Sequence, residues 1–196
     1  KKALVAYLVA GDPDIETTID LMHLFVEAGV DAIEIGVPFT DPIAEGPVIQ
    51  RAHDRALKNN ISLKDIYSMV EIFRNKDSST PLILMGYLNT FMFHKKIIEE
   101  NKNSAIDSIL VVDIPGELNL NDYGIKSSSI NTISLISPTT KQDRIESIAK
   151  NSSGFVYYVT LRGVTGASNL DSNEISNNVN EIKKTCISPY ACRFWY

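Results

Sequence analysis

The feature that most limits how this chain can fold is an alternation running almost from end to end, in which short apolar runs are each followed by an amphipathic stretch. The runs cover residues 3–9, 32–37, 82–86, 108–112, 132–136 and 155–160. Each is rich in Val, Ile or Leu and is bounded by Gly, Pro, Asp or Asn, the pattern of a strand buried on both faces. The stretches 16–28, 48–57, 63–73, 90–101, 118–126, 141–150 and 172–185 carry helical periodicity. In the first of them Ile19, Met22, Phe25 and Val26 share one face, and Gly29 stands where a helix C-cap belongs. Asp171 or Ser172 can cap the last. Six βα repeats without a hairpin signal predict an α/β fold with a parallel sheet.

An open doubly wound sheet and a (β/α)8 TIM barrel both satisfy that pattern. The first run ends in Ala10-Gly11-Asp12-Pro13, with no Gly-rich dinucleotide fingerprint, which weakens the nucleotide-binding alternative. No linker or low-complexity tract interrupts the chain, so residues 1–196 are expected to form a single domain. The net charge of −5 argues against a phosphate-tracking surface, which needs clustered Lys and Arg, so no nucleic-acid partner is expected. No run approaches the roughly 20 apolar residues of a membrane span. Lys1-Lys2 and the apolar residues that follow lead into Gly11-Asp12-Pro13-Asp14, not a cleavage site, so a signal peptide is not expected. The chain does not begin with Met, and its first residue is not expected to be the natural start. Two cysteines, Cys186 and Cys192, make neither a disulfide framework nor a zinc site, which fits a reducing, cytoplasmic location.

Residues 31–50, D-A-I-E-I-G-V-P-F-T-D-P-I-A-E-G-P-V-I-Q, are the most informative. Side chains alternate along a strand, so Ala32, Glu34 and Gly36 share one face while Ile33 and Ile35 share the other. If the isoleucines meet the covering helices, Glu34 points into a barrel near the C-terminal end of its strand, where barrel enzymes keep their catalytic groups. Burial raises a carboxyl pKa, which suits a group that must hold and release a proton. A structural Glu paired to a barrel Lys or Arg satisfies the same position. Asp41 and Glu45 follow in a loop stiffened by Pro38, Pro42, Gly46 and Pro47, which holds carboxylates in place at little entropic cost. A turn or helix cap is the plain alternative for Asp41.

The string E-I-G-V-P-F-T-D-P-I-A-E-G-P-V-I-Q resembles the signature of the tryptophan synthase α family. Other segments resemble that family in the same order: Y-L-V-A-G-D-P at 7–13, M-G-Y-L-N at 85–89, L-V-V-D-I-P at 110–115 and F-V-Y-Y-V-T-L-R-G-V-T-G at 155–166. The similarity covers about residues 3–185, and the first and last motifs together are highly specific. The resemblance implies a TIM barrel and a retro-aldol cleavage of indole-3-glycerol phosphate to indole and glyceraldehyde 3-phosphate. It implies Glu34 as the general acid and base, and Glu45 as the carboxylate facing the indole nitrogen. Tyr7, Tyr157, Thr165 and Gly166 are implied near the substrate, Gly166 through its backbone at the phosphate. Asp41 and Thr165 are the implied pair that joins two loops over the site. A β subunit carrying pyridoxal phosphate is the implied partner, in an α2β2 assembly, with Pro38, Tyr87 and Asn89 as contacts. No metal or cofactor is expected in this chain.

One departure stands out. The family usually has Asp where Glu45 stands; the extra methylene moves the carboxylate by about a bond length, and misplacement by ~1 Å can cost on the order of a hundredfold. The charge is kept, so a tuned site is expected. Arg162 has no assignable role.

A full barrel needs eight βα units, and the alternation supplies about six, with 186–189 a candidate start of a seventh strand. Residues 189–196 then break the pattern, where the family runs into Gly-Phe-Gly-Ile. Codons for Cys192 to Tyr196, read one nucleotide later, can spell that motif. A frameshift near Pro189 followed by early termination is therefore one expectation, with a divergent or deliberately trimmed end as alternatives. Lacking its last two βα units, the chain is expected to show little or no lyase activity, since barrel phosphate sites are commonly built by the loops after strands seven and eight. A second functional class, a non-catalytic partner that docks on the β subunit and modulates it, is open on the same ground. A different phosphate-binding barrel enzyme would need a lysine at a strand end, and the apolar runs offer none.

Overall fold

Among the described residues seven strands, all parallel, lie in one sheet in the order in which they occur along the chain. In the computed structural model the described residues are 3–100, 105–125, 129–159, 176–180, 182 and 190–193. The strands are β1 (Val5–Val9), β2 (Ala32–Gly36), β3 (Leu82–Gly86), β4 (Ser108–Val111), β5 (Asn131–Ile136), β6 (Val156–Val159) and β7 (Tyr190–Arg193). The helices with full bounds are α1 (Ile15–Glu27), α2 (Pro47–Lys58), α3 (Leu63–Arg74), α4 (Leu88–Phe93), α5 (Lys95–Glu100) and α6 (Gln142–Asn151), and residues 176–180 are helical as well. Strictly sequential strand order separates the two architectures left open above. A doubly wound sheet reverses its order at a switch point, and this one never does; it is the wall of a barrel.

The ends of the helices are written locally. The Asp14 side chain accepts the Thr17 N–H at 2.7 Å and caps α1, and Gly29 just beyond it takes φ +85, a conformation costly for any residue with a Cβ. Helix α2 opens with Pro47, whose missing N–H is no loss in the first turn. Helix α3 opens with a reciprocal capping box between Ser62 and Asp65.

The parity of each strand sorts its side chains between two cores. Ile33, Ile35, Leu82, Leu84, Ile109 and Val111 pack outward with Met22, Ile66, Met69, Val70, Phe73 and Phe91 of the helical layer. Ile83, Met85, Leu110, Ile133 and Tyr157 form the opposite, inner cluster, with Val5, Tyr7, Ala32, Val112 and Leu135 packed against it. At the N-terminal end of the wall, Arg74 donates to the carbonyls of Thr80 at 2.7 Å and Ala105 at 3.1 Å and to the Asp107 carboxylate at 2.7 Å. Asp107 also accepts the Leu82 N–H. One guanidinium thus fixes where β3 and β4 begin.

Three expectations need correction. The helix expected at 118–126 is a single 3-10 turn, Leu120–Tyr123, because the Asn119 side chain caps the Asn121 N–H and competes with a longer helix. The helix expected at 90–101 is broken into α4 and α5 at His94, whose backbone (φ −105, ψ 21) leaves the helical range. The residues that break the sequence pattern near the end supply β7, paired with β6 from Val156↔Tyr190 to Val159↔Arg193; the candidate start of a seventh strand at 186–189 lies outside the described residues. Among the described residues no helix is long and apolar enough to cross a membrane.

Candidate functional site

Glu34 lies on the inner face of β2 and is 3% exposed. Its strand neighbours in register are Tyr7 on β1 and Ile83 on β3. The outward packing of Ile33 and Ile35 confirms the parity on which that orientation depends. Two residues further along, Gly36 leaves room for an aromatic ring: a Cβ there would stand 2.8 Å from Tyr7 Cζ and closer still to its hydroxyl. The Tyr7 ring therefore leans across β2 toward its C-terminal end. Tyr157 of β6, 4% exposed, belongs to the same inner cluster as Tyr7. A carboxylate and two phenols thus line a wall that is mostly apolar, with Ser108 of β4 buried on the same face.

The second carboxylate arrives from the loop between β2 and α2. Glu45 is 1% exposed, and its backbone is fixed on both sides. Its N–H donates to the Pro42 carbonyl at 3.0 Å, and its own carbonyl accepts from the Gln50 side chain at 2.8 Å. The Ala44 N–H, one residue earlier, donates to the Tyr87 hydroxyl at 3.0 Å. The Tyr87 ring stacks on Phe39, with centroids 4.7 Å apart and planes 23° from parallel. At the start of the loop the Phe39 N–H donates to His53 Nδ1 of α2 at 3.1 Å. Burial, with Glu45 and Asp113 nearby, pushes the Tyr87 phenol up to about 12 against the opposing Ala44 N–H. The phenol is therefore protonated at neutral pH, and Glu45 lies within electrostatic reach of it.

Asp41 is exposed at the loop's apex, where its carboxylate accepts the Thr40 hydroxyl at 2.7 Å. Of the expected partner contacts, Asn89 is exposed, whereas Pro38 and Tyr87 are buried beneath the loop. The sequence reading passed over three exposed apolar side chains in the same segments of chain, Ile43 in the loop, Val48 at the start of α2 and Phe93 at the end of α4, the last 84% exposed. It also passed over His53, because a lone histidine on a helix carries no signal until its partner is known. Thr165, Gly166 and Arg162 lie outside the described residues. Among the described residues no group of three or more His, Cys, Asp or Glu side chains could hold a metal ion.

Comparison with known proteins places this geometry in a lineage. The family model described as tryptophan synthase alpha chain matches residues 1–195. The chain belongs to that family. It is 45% identical over 197 residues to the tryptophan synthase alpha chain of Thiobacillus denitrificans, covering 99% of this chain and 72% of that one. The alpha chain of Neisseria meningitidis serogroup B is 50% identical over 181 residues, 91% of this chain and 69% of the relative. Among solved structures, one of the tryptophan synthase α2β2 complex from Pyrococcus furiosus superposes with a TM-score of 0.86 at 36% identity, covering 99% of this chain and 79% of that chain. The tryptophan synthase alpha subunit of Legionella pneumophila gives 0.85 at 37% identity, covering 99% and 72%. The tryptophan synthase alpha fold is thus present through the whole described sheet, with the acid-bearing β2 and its loop in place.

Proposed function

We propose, against the low activity expected from the missing βα units, that this chain cleaves indole-3-glycerol phosphate to indole and glyceraldehyde 3-phosphate, with Glu34 as the proton-transfer group. The observation that carries the reading is a carboxyl group buried on the inner face of a mostly apolar barrel wall, beside Tyr7. In the cleavage, Glu34 gives its proton to the indole carbon that bears the side chain, which places positive charge on the ring nitrogen. Glu45 faces that nitrogen and stabilises the charge as it develops. The carboxylate left on Glu34 takes the proton of the hydroxyl on the adjoining side-chain carbon. As the carbon–carbon bond breaks, its electrons return to the indole ring and the hydroxyl carbon becomes the aldehyde. No water is consumed, and Glu34 ends protonated as it began.

Tyr7 and Tyr157 border the substrate, Thr165 closes on Asp41 over it, and the Gly166 backbone meets the phosphate. Released indole passes to a β subunit that carries pyridoxal phosphate, in an α2β2 assembly; this chain itself holds no cofactor. The docking surface is built from Asn89 and the loop over Pro38 and Tyr87. The exposed Ile43, Val48 and Phe93 in the same segments of chain support that placement.

The test is indole release by the purified chain, with and without a β subunit, for the native sequence and for Glu34→Gln. Turnover that drops at least a hundredfold in the variant, with binding to the β subunit kept, is the expected result. Equal turnover in both proteins refutes the role of Glu34. Binding with no turnover in either favours a docking partner that modulates the β subunit.

A further inference from the structure

The loop that carries Asp41 and Glu45 is held at its far side by Tyr87 and at its near side by a histidine that the proposed chemistry does not use. His53 is 2% exposed. Its Nδ1 accepts the Phe39 N–H at 3.1 Å, so Nδ1 carries a lone pair and the ring proton sits on Nε2. Nε2 has no hydrogen-bond partner among the described residues. An imidazolium at this place would turn a donor against the Phe39 N–H and would find no acceptor on its other side.

We propose that His53 is a positioning residue for the loop after β2: its uncharged ring holds Phe39, and with it the segment leading to Asp41 and Glu45, and proton uptake releases that segment.

The tie acts on the chemistry through Phe39. That residue is bonded to α2 through its N–H and stacked on Tyr87 through its ring, and Tyr87 in turn accepts from Ala44, the neighbour of Glu45. Freeing the Phe39 amide therefore loosens one support of the loop that carries a buried carboxylate. The groups acting on the imidazole are known. Burial pushes its pKa below the ordinary value of 6.5; Asp54 on its own helix and Asp12 in the turn after β1 oppose this. The Asp12 charge is already met by a two-pronged bond from Arg55, both contacts at 2.7 Å. From β1, Tyr7 and Val9 pack on the same helix against Ala52 and Ala56, and the loop after β2 presents the Phe39 amide. The unfolded chain takes up the proton at higher pH than the folded one, so the stabilisation is complete above the ordinary imidazole value. It is lost as the pH falls through the lower, folded value.

Only the consequence for turnover rests on the proposed lyase reading; the tie itself can be measured in a protein that turns nothing over. The experiment is amide hydrogen exchange at Phe39 by NMR, expressed relative to the intrinsic rate, between about pH 5 and 8. It uses the full chain, with the His53 ring titration followed in the same samples. In the native sequence, protection at Phe39 is expected to fall about five- to tenfold as the ring takes its proton, the size of one ordinary hydrogen bond. His53→Asn keeps an acceptor that does not titrate and should keep protection independent of pH. His53→Leu should lack it throughout, while amides of β2 and β3 report that the sheet is intact. Protection that does not follow the His53 titration, an Asn variant that titrates like the native chain, or a folded Leu variant with native protection each overturns the proposal. If the Leu variant does not fold, the native and Asn profiles decide.

Discussion

Replacing Tyr87 by Phe removes one atom from the support of Glu45 and leaves everything else in place. The lost hydroxyl accepts the Ala44 N–H at 3.0 Å, while the ring that stacks on Phe39 at 4.7 Å is retained. Ala44 is half-buried, so water can replace the acceptor only in part, and the cost should fall near the middle of the usual 0.5–1.5 kcal/mol, about 1 kcal/mol. That corresponds to about fivefold more frequent opening of the loop at Ala44. The effect on turnover should be larger than the effect on stability. Glu45 is the next residue; in the proposed reaction its carboxylate faces the indole nitrogen, and misplacement by ~1 Å can cost on the order of a hundredfold. Urea unfolding should show a lower midpoint at unchanged slope. Amide exchange at Ala44 should rise, and indole release should fall by more than the stability change accounts for. Native exchange at Ala44 in the Phe variant would refute the reasoning outright. A stability loss above about 3 kcal/mol would mean that the ring had lost its packing, which the single-atom argument does not allow.

Three further outcomes follow from the same contacts. Gly36→Ala sets a methyl group against the Tyr7 ring; overpacking of this kind should cost about 1–3 kcal/mol in urea unfolding, and Gly36→Ala with Tyr7→Leu should recover part of it. Phe73→Ala empties a fully buried site between α3 and α1, where Phe73 stacks on His23 at 4.8 Å. A loss of about 3–5 kcal/mol is expected by calorimetry or denaturant. The phenols of Tyr87 and Tyr67 are both raised by burial above their ordinary value of 10.0. Stability should therefore fall as the pH climbs above that value, and Tyr87→Phe should remove part of the fall.

Much of this was readable in the sequence. The alternation of apolar runs and amphipathic stretches needed no structure, because strand and helix periods are properties of neighbouring residues. The placing of Glu34 followed from counting parity from Ile33 and Ile35, and the outer core that buries both isoleucines agrees with it. The caps of α1 and α3 at Asp14 and Ser62 are equally local, although the sequence reading did not single them out. Where local signals competed, sequence reading went astray: Asn119 reduced an expected helix to one turn, and an apparently foreign ending supplied β7. A strand at the edge of a parallel ladder can recruit residues whose own pattern is weak, because the backbone bonds come from its neighbour.

What the sequence by itself determined is which residues could carry the chemistry: an acid of inward parity at Glu34 and a stiff, acid-bearing loop behind it. The tertiary structure alone decided that the sheet runs in chain order, which makes it a barrel wall, and that Glu45 is buried instead of solvated. It also decided that Tyr87 and Ala44, 43 positions apart, share a hydrogen bond, and that His53 accepts from a backbone amide 14 positions away. The physical reason is range. Periodicity and capping are fixed by residues within a turn or two, whereas a loop's rigidity depends on atoms that meet only after separate βα units have packed together.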